Sequence, residues 1–151
     1  MIGVPPARRR AEEGPDGCSL HTAGDPDPDT VLVLAAYAAF ARGDIDQALI
    51  GLHPQVEWIE PKELPDGGRR VEPAAVAGYL RTSRASWAEL VSEPMAHRRG
   101  EDIVIIHHVR GRLADGTPQE VTVADVYTFR DGQAVRMQAY ADPAQALEDH
   151  P

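Results

Sequence analysis

The segment Gln119 to Asp142, QEVTVADVYTFRDGQAVRMQAYAD, constrains the fold most, because it reads as two β-strands joined by a tight turn. Along the first strand Val121, Val123, Tyr127 and Phe129 form one apolar face, while Thr122, Thr128 and Arg130 dominate the other. Asp125 falls in the middle of the apolar face. A carboxylate there must be solvated, paired or kept protonated, since an unpartnered charge in apolar surroundings is costly. If Arg130-Asp131-Gly132 is a three-residue loop with Gly132 left-handed, Val135, Met137, Ala139 and Ala141 continue that face. Met137 then stands opposite Asp125.

The remaining chain supplies helices first and strands afterwards. Residues 1–29 hold five prolines with several glycines and charges, a composition that buries little, and are set apart as an N-terminal tail. The domain is expected over 30–151. Thr30 to Arg42 is apolar almost all round and predicts a largely buried helix, capped by Asp29 or Thr30 and stopped by Gly43. Asp44 and Gln47 suit a capping box for a second helix, Ile45 to Leu52. Gln55 to Glu60 alternates, with Val56, Trp58 and Glu60 on one face and Pro61 closing the strand. Lys62 to Arg70 reads as a loop. Pro73 opens a third helix expected to reach about Val91, with Val76, Tyr79, Leu80, Ser83 and Trp87 on its buried stripe and Pro94 stopping it. Strands follow at Met95 to Arg99, Ile103 to Leu113, Gln119 to Arg130 and Gln133 to Ala141, and Asp142-Pro143 opens a short last helix through Leu147. This order predicts an α+β fold in which three N-terminal helices pack on one face of a strongly curved, mainly antiparallel sheet.

Composition narrows the function. The 151 residues suffice for one sizeable core, and a net charge of -9 argues against a nucleic-acid or anionic-membrane surface as the main partner. No apolar run is long enough for a membrane span or a secretion signal, so a soluble cytoplasmic protein is the expectation. Cys18 is the only cysteine, which excludes an internal disulfide and a cysteine-based zinc site.

The words AAFARGDIDQAL, VEWIEP, VEPAAVAGYL and VADVYTFRDGQAVRMQAYADPAQAL, in this order, resemble the SnoaL-like and ketosteroid isomerase branch of the nuclear transport factor 2 superfamily over about Thr30 to Leu147. The resemblance implies a cone of helices closed by a bent sheet around a deep apolar pocket, and a homodimer formed through the sheet's outer face. It implies that Glu60, before Pro61, is a general base, and that Asp125 is a protonated acid donating to the substrate's oxyanion. The family's third catalytic residue, a tyrosine on the first helix, aligns with Ala36. Tyr37 lies one residue on, about 100° around the helix. Tyr79 falls where the isomerases have a pocket aromatic.

A base that takes a proton beside a carbonyl and an acid that steadies the enolate suffice for isomerisation or polyketide cyclisation, with no cofactor and no metal. Glu60 and Asp125 suit these roles. The even positions Val104, Ile106, His108, Arg110 and Arg112 share one face of their strand, which the resemblance turns towards the pocket; His107 is expected to face away. Tyr37, Trp58, Tyr79, Tyr127 and Met137, with His108 and Arg110, complete the expected lining around an apolar small molecule. Other readings stay open: Asp125 as a carboxylate paired with Arg110 or Arg112, Glu60 as a solvated strand end, a binding protein without catalysis, or carboxylate-assisted water attack on an epoxide.

Overall fold

The computed structural model describes residues 27–64 and 67–151, so most of the expected tail, and Pro65-Asp66 of the expected loop, lie outside the described residues. Helix α1 spans Pro28–Ala41. It starts two residues earlier than the sequence suggests, because the Asp27 carboxylate accepts hydrogen bonds from the Thr30 N–H at 2.9 Å and the Thr30 hydroxyl at 3.0 Å, and Pro28 suits the first turn. Val33, Tyr37 and Phe40, at helical spacing, are its buried stripe. Helix α2 is a single turn, Ile45–Ala48, capped by Asp44.

Strand β1, Leu52–Glu60, begins where the second helix was expected to continue. Strand β2, Gly68–Val71, lies in the stretch expected as loop and pairs antiparallel with β1. Helix α3 covers Pro73–Ala85 and ends six residues short of Val91. Trp87 to Arg99 form β3 instead, pairing along its length with β4, Asp102–Leu113. A full ladder of hydrogen bonds outweighs weak helical periodicity, and Pro94 is tolerated because β3 is an edge strand. Gly111 is required at the β3 bulge: a Cβ there would meet the Glu89 carbonyl oxygen at 2.0 Å.

Strands β5, Pro118–Arg130, and β6, Gln133–Tyr140, complete a six-stranded sheet ordered β2-β1-β6-β5-β4-β3, in which only β1 and β6 run parallel. Helix α4, Pro143–Asp149, is capped by Asp142, as expected. The β5–β6 turn is shorter than expected, with Arg130 paired to Gln133 and both Asp131 and Gly132 at positive φ. Val135 is then the extra residue of a bulge. Ala134 takes its place on the inner face, and Met137 stands opposite Tyr127 rather than Asp125, whose partner is Ala139. Helices α1 to α3 cover the concave face, where the main core gathers around Tyr37, Phe40, Trp58, Leu80 and Ile105. The outer face carries a smaller cluster of Val104, Ala124 and Val126 under Ala146 of α4. The chain is thus an α+β cone on a curved, mainly antiparallel sheet.

Candidate active site

Alternation along β1 turns Val56, Trp58 and Glu60 inwards, and all three are buried. Alternation along β5 does the same for Val121, Val123, Asp125, Tyr127 and Phe129. Strand pairing then brings the two acids together. Asp125 pairs with Ala139, and Ile59 pairs with Gln138, which sets Ala139 beside Glu60. Glu60, Ala139 and Asp125 therefore form one row across the concave face. The adjacent row is Trp58, Met137 and Tyr127, an apolar floor in which the Trp58 and Tyr127 rings meet edge to face at 6.0 Å.

Each acid is held by aromatic donors. The Trp58 indole N–H donates to Glu60 Oε2 at 2.9 Å. Tyr79, buried on α3, hydrogen-bonds the Glu60 carboxyl; burial first, and then that neighbouring charge, raises its hydroxyl pKa above the usual phenol range. The Tyr37 hydroxyl donates to Asp125 Oδ2, and the Tyr127 hydroxyl donates to that of Tyr37 at 3.3 Å. Burial pushes the Asp125 carboxyl up to about 7, the Glu60 charge adds to this, and the Tyr37 hydrogen bond pulls partly back. Asp125 Oδ1 is buried and has no hydrogen-bond partner among the described residues. Near neutrality the carboxyl exists in part as the acid, able to donate from that oxygen.

Tyr37 was expected in the pocket lining, but not in the place of the tyrosine that the family carries at Ala36. The inward stripe of α1 runs through Val33, Tyr37 and Phe40, so Tyr37 projects onto Asp125. Ala36, the residue aligned with the family's tyrosine, instead lines a small recess with Leu32, Gly51, Trp58 and Tyr127.

The expectation for β4 is reversed. Directly opposed residues of an antiparallel pair point to the same side, and Asp125 opposes Ile105. Ile103, Ile105, His107 and Val109 therefore face the core, while Val104, Ile106, His108, Arg110 and Arg112 face outwards. His108 lies between Glu93 at 2.9 Å and Glu120 at 2.8 Å on the outer face, Arg110 reaches Glu93 at 3.5 Å, and Arg112 reaches Glu89 at 3.7 Å. None of the three pairs with Asp125, and the lining role expected of His108 and Arg110 is not compatible with this geometry. His107 replaces them inside. Its ring stands edge-on to Tyr37 at 4.7 Å and its Nε2 lies 2.6 Å from Ser92 Oγ. Burial, with the neighbouring His108 charge, pushes it down to about 3, so the imidazole is neutral. A residue overlooked by sequence reasoning is Arg70, whose guanidinium lies 4.6 Å from the centre of the Tyr79 ring. Among the described residues no group of three His, Cys, Asp or Glu side chains is placed to hold a metal ion.

The α+β cone is the fold of NTF2-like proteins, and one from Burkholderia pseudomallei, of unknown function, shares it at a TM-score of 0.70 with 25% identity, over 82% of this chain and 97% of that one. Residues 33–137 match the SnoaL-like domain model, and the chain belongs to that family. It is also similar to TerC co-crystallised with polyporic acid, at 26% identity and a TM-score of 0.67, covering 82% of this chain and 98% of that chain. A protein from Xanthomonas campestris pv. campestris, provisionally assigned as a polyketide cyclase, is 25% identical with a TM-score of 0.59, covering 82% and 97%. No curated protein matches the chain. Among the described residues no helix is long and apolar enough to cross a membrane.

Proposed function

We propose that this protein is a small acid/base enzyme that moves a proton on a mostly apolar carbonyl compound, as an isomerase or a polyketide cyclase does. The observation that carries the reading is the shared row of Glu60 and Asp125, with Asp125 Oδ1 left available in a dry, aromatic setting. Glu60, steered by Trp58 and Tyr79, takes a proton from the carbon next to the substrate carbonyl. The electron pair moves onto the carbonyl oxygen, and the Asp125 acid donates a hydrogen bond to it. Tyr127 and Tyr37 fix the other Asp125 oxygen, so the proton stays on the side facing the ligand. The enolate then takes a proton at a different carbon, or attacks a second carbonyl to close a ring.

The placement of Tyr37 favours catalysis over mere binding, because the acid now has the phenolic partner that Ala36 could not provide. TerC, co-crystallised with polyporic acid, and the provisional polyketide cyclase support the same reading. The protein acts in the cytoplasm as a homodimer paired through the outer sheet face, where Val91 and Met95 are 40% and 50% exposed.

The test follows deuterium uptake by NMR at the carbon beside the carbonyl in flat polycyclic ketones. Wild type accelerates exchange, and Glu60→Gln abolishes it while circular dichroism stays unchanged. Equal exchange in the variant rejects the base role. Tight ligand binding without exchange in wild type turns the assignment to a binding protein.

A further inference from the structure

Resting on that proton-transfer reading, we infer that Ser92, on the edge strand β3, is a positioning residue for the Asp125 acid, acting through His107 and Tyr37. Strand pairing sets the line along which it acts. Ser92 opposes Val109 and His107 opposes Val123, so Ser92, His107 and Asp125 are successive diagonal neighbours on the concave face of β3, β4 and β5. The adjacent inward positions on β3, Leu90 and Pro94, are apolar, and Ser92 puts a hydroxyl between them. That hydroxyl lies 2.6 Å from His107 Nε2. Among the described residues it is the hydrogen-bond partner of a buried, neutral ring whose Nδ1 has none.

Tyr37 spans the next step of the line. Its ring packs at 87° to His107, 4.7 Å away, and also meets Tyr127 at 6.1 Å, while its hydroxyl donates to Asp125 Oδ2. Asp125 Oδ1 has no partner among the described residues, so the acid responds directly to where the Tyr37 hydroxyl points. The other titratable groups around Asp125 are Glu60, Tyr79 and Tyr127, and Ser92 hydrogen-bonds none of them. Without the Ser92 hydroxyl, His107 Nε2 becomes a second unsatisfied atom on a buried ring. Such an atom is costly, so the ring turns to find a partner, and Tyr37, packed against it, turns as well.

The test compares Ser92→Ala, Ser92→Thr and Ser92→Ala combined with Tyr37→Phe in the full chain. In Ser92→Ala, carbon-13 NMR titration should show the Asp125 midpoint rising by at least about half a unit, because its donor is displaced. In the deuterium-exchange assay kcat should fall about five-fold with KM unchanged, a fraction of the loss expected when a donor is removed outright. Affinity for 2-naphthol, a flat mimic of the enol, should fall by a similar factor in titration calorimetry. Ser92→Thr, which keeps a hydroxyl, should restore midpoint, turnover and affinity. On the Tyr37→Phe background Ser92→Ala should add nothing to the midpoint, because the link to Asp125 is already cut. An unmoved midpoint in Ser92→Ala overturns the inference. So does an equal shift on both backgrounds, since that result marks Ser92 as a support of the sheet and not of Tyr37. The midpoint is read without turnover, so the two claims separate: normal exchange with an unmoved midpoint rejects the inference alone, and the expected shifts without exchange in wild type reject the enzymatic reading alone.

Discussion

Glu60 and Asp125 stand in one transverse row of the sheet, on strands two apart, with Ala139 on the strand between them. Neighbouring strands lie about 5 Å apart, so the two backbones are roughly 10 Å apart. The small residue at 139 therefore has a functional consequence. Had a leucine stood there, as it does in many strands, its side chain would occupy the space between the acids.

Ala139→Leu should thus separate folding from binding. Ala139 is only partly buried, so the larger side chain costs less than a fully enclosed overpacking, about 1 kcal/mol or below. Affinity for 2-naphthol should fall at least about ten-fold, because the ligand and the leucine compete for one volume. Calorimetry paired with a urea melt reads both quantities. Unchanged affinity would mean that ligands do not lie across this row.

The Tyr37–Asp125 hydrogen bond predicts a second effect. A hydroxyl that donates to Asp125 favours its ionised form, so removing it in Tyr37→Phe should move the Asp125 midpoint upwards from about 7. The Tyr127 donor is also left to reorganise. Exchange activity should drop by about 10²-fold, the usual scale for one lost donor in an oxyanion-binding arrangement. Carbon-13 NMR titration of the aspartate carboxyls follows the midpoint, and a downward move would contradict the assignment.

The acids were legible in the sequence because a lone aspartate in an apolar alternation and a glutamate before proline are both local patterns. The β4 face was not, because it depends on loop length. A two-residue Asp115-Gly116 turn would pair even positions with odd ones. The Leu113 N–H instead donates to the Thr117 carbonyl and Gly116 closes a three-residue loop, so odd pairs with odd and His107 turns inwards. Tyr37 was legible as lining but not as the partner of Asp125, for a similar reason: a one-residue difference on α1 decides which side chain meets Asp125, and helix phase is set by packing against the sheet. Arg70 lay in a stretch of turn residues that pairs with β1 only once the sheet exists.

That inversion of β4 gives a direct comparison of adjacent histidines. His108→Ala removes a side chain lying between Glu93 and Glu120 on the outer face, and should leave probe affinity within about two-fold of wild type. His107→Ala opens a gap against Tyr37 inside the core and should cost about 2 kcal/mol or more in the urea melt, with weaker binding. The opposite ranking would restore the even face to the pocket.

Asp125 and His107 also make opposite contributions to stability as the pH changes. Asp125 binds its proton more tightly folded, at about 7 against an ordinary 3.8, so the stability it contributes is complete below pH 3.8 and is lost as pH rises through about 7. His107 binds its proton less tightly folded, at about 3 against 6.5, so its contribution is complete above pH 6.5 and is lost as pH falls towards about 3. Between pH 3.8 and 6.5 the folded chain carries one proton on this pair, on Asp125, and the unfolded chain also carries one, on His107. Equal proton counts make the two slopes cancel. Removing either group should expose the other, with a limiting slope of about 1.4 kcal/mol per pH unit. Relative to wild type, Asp125→Asn should gain stability as pH rises from 4.5 to 6, and His107→Gln should lose it over the same range. Urea melts at several pH values across this window measure both differences, and two variant curves that run parallel to wild type would show that neither group is held in the protonation state its burial demands.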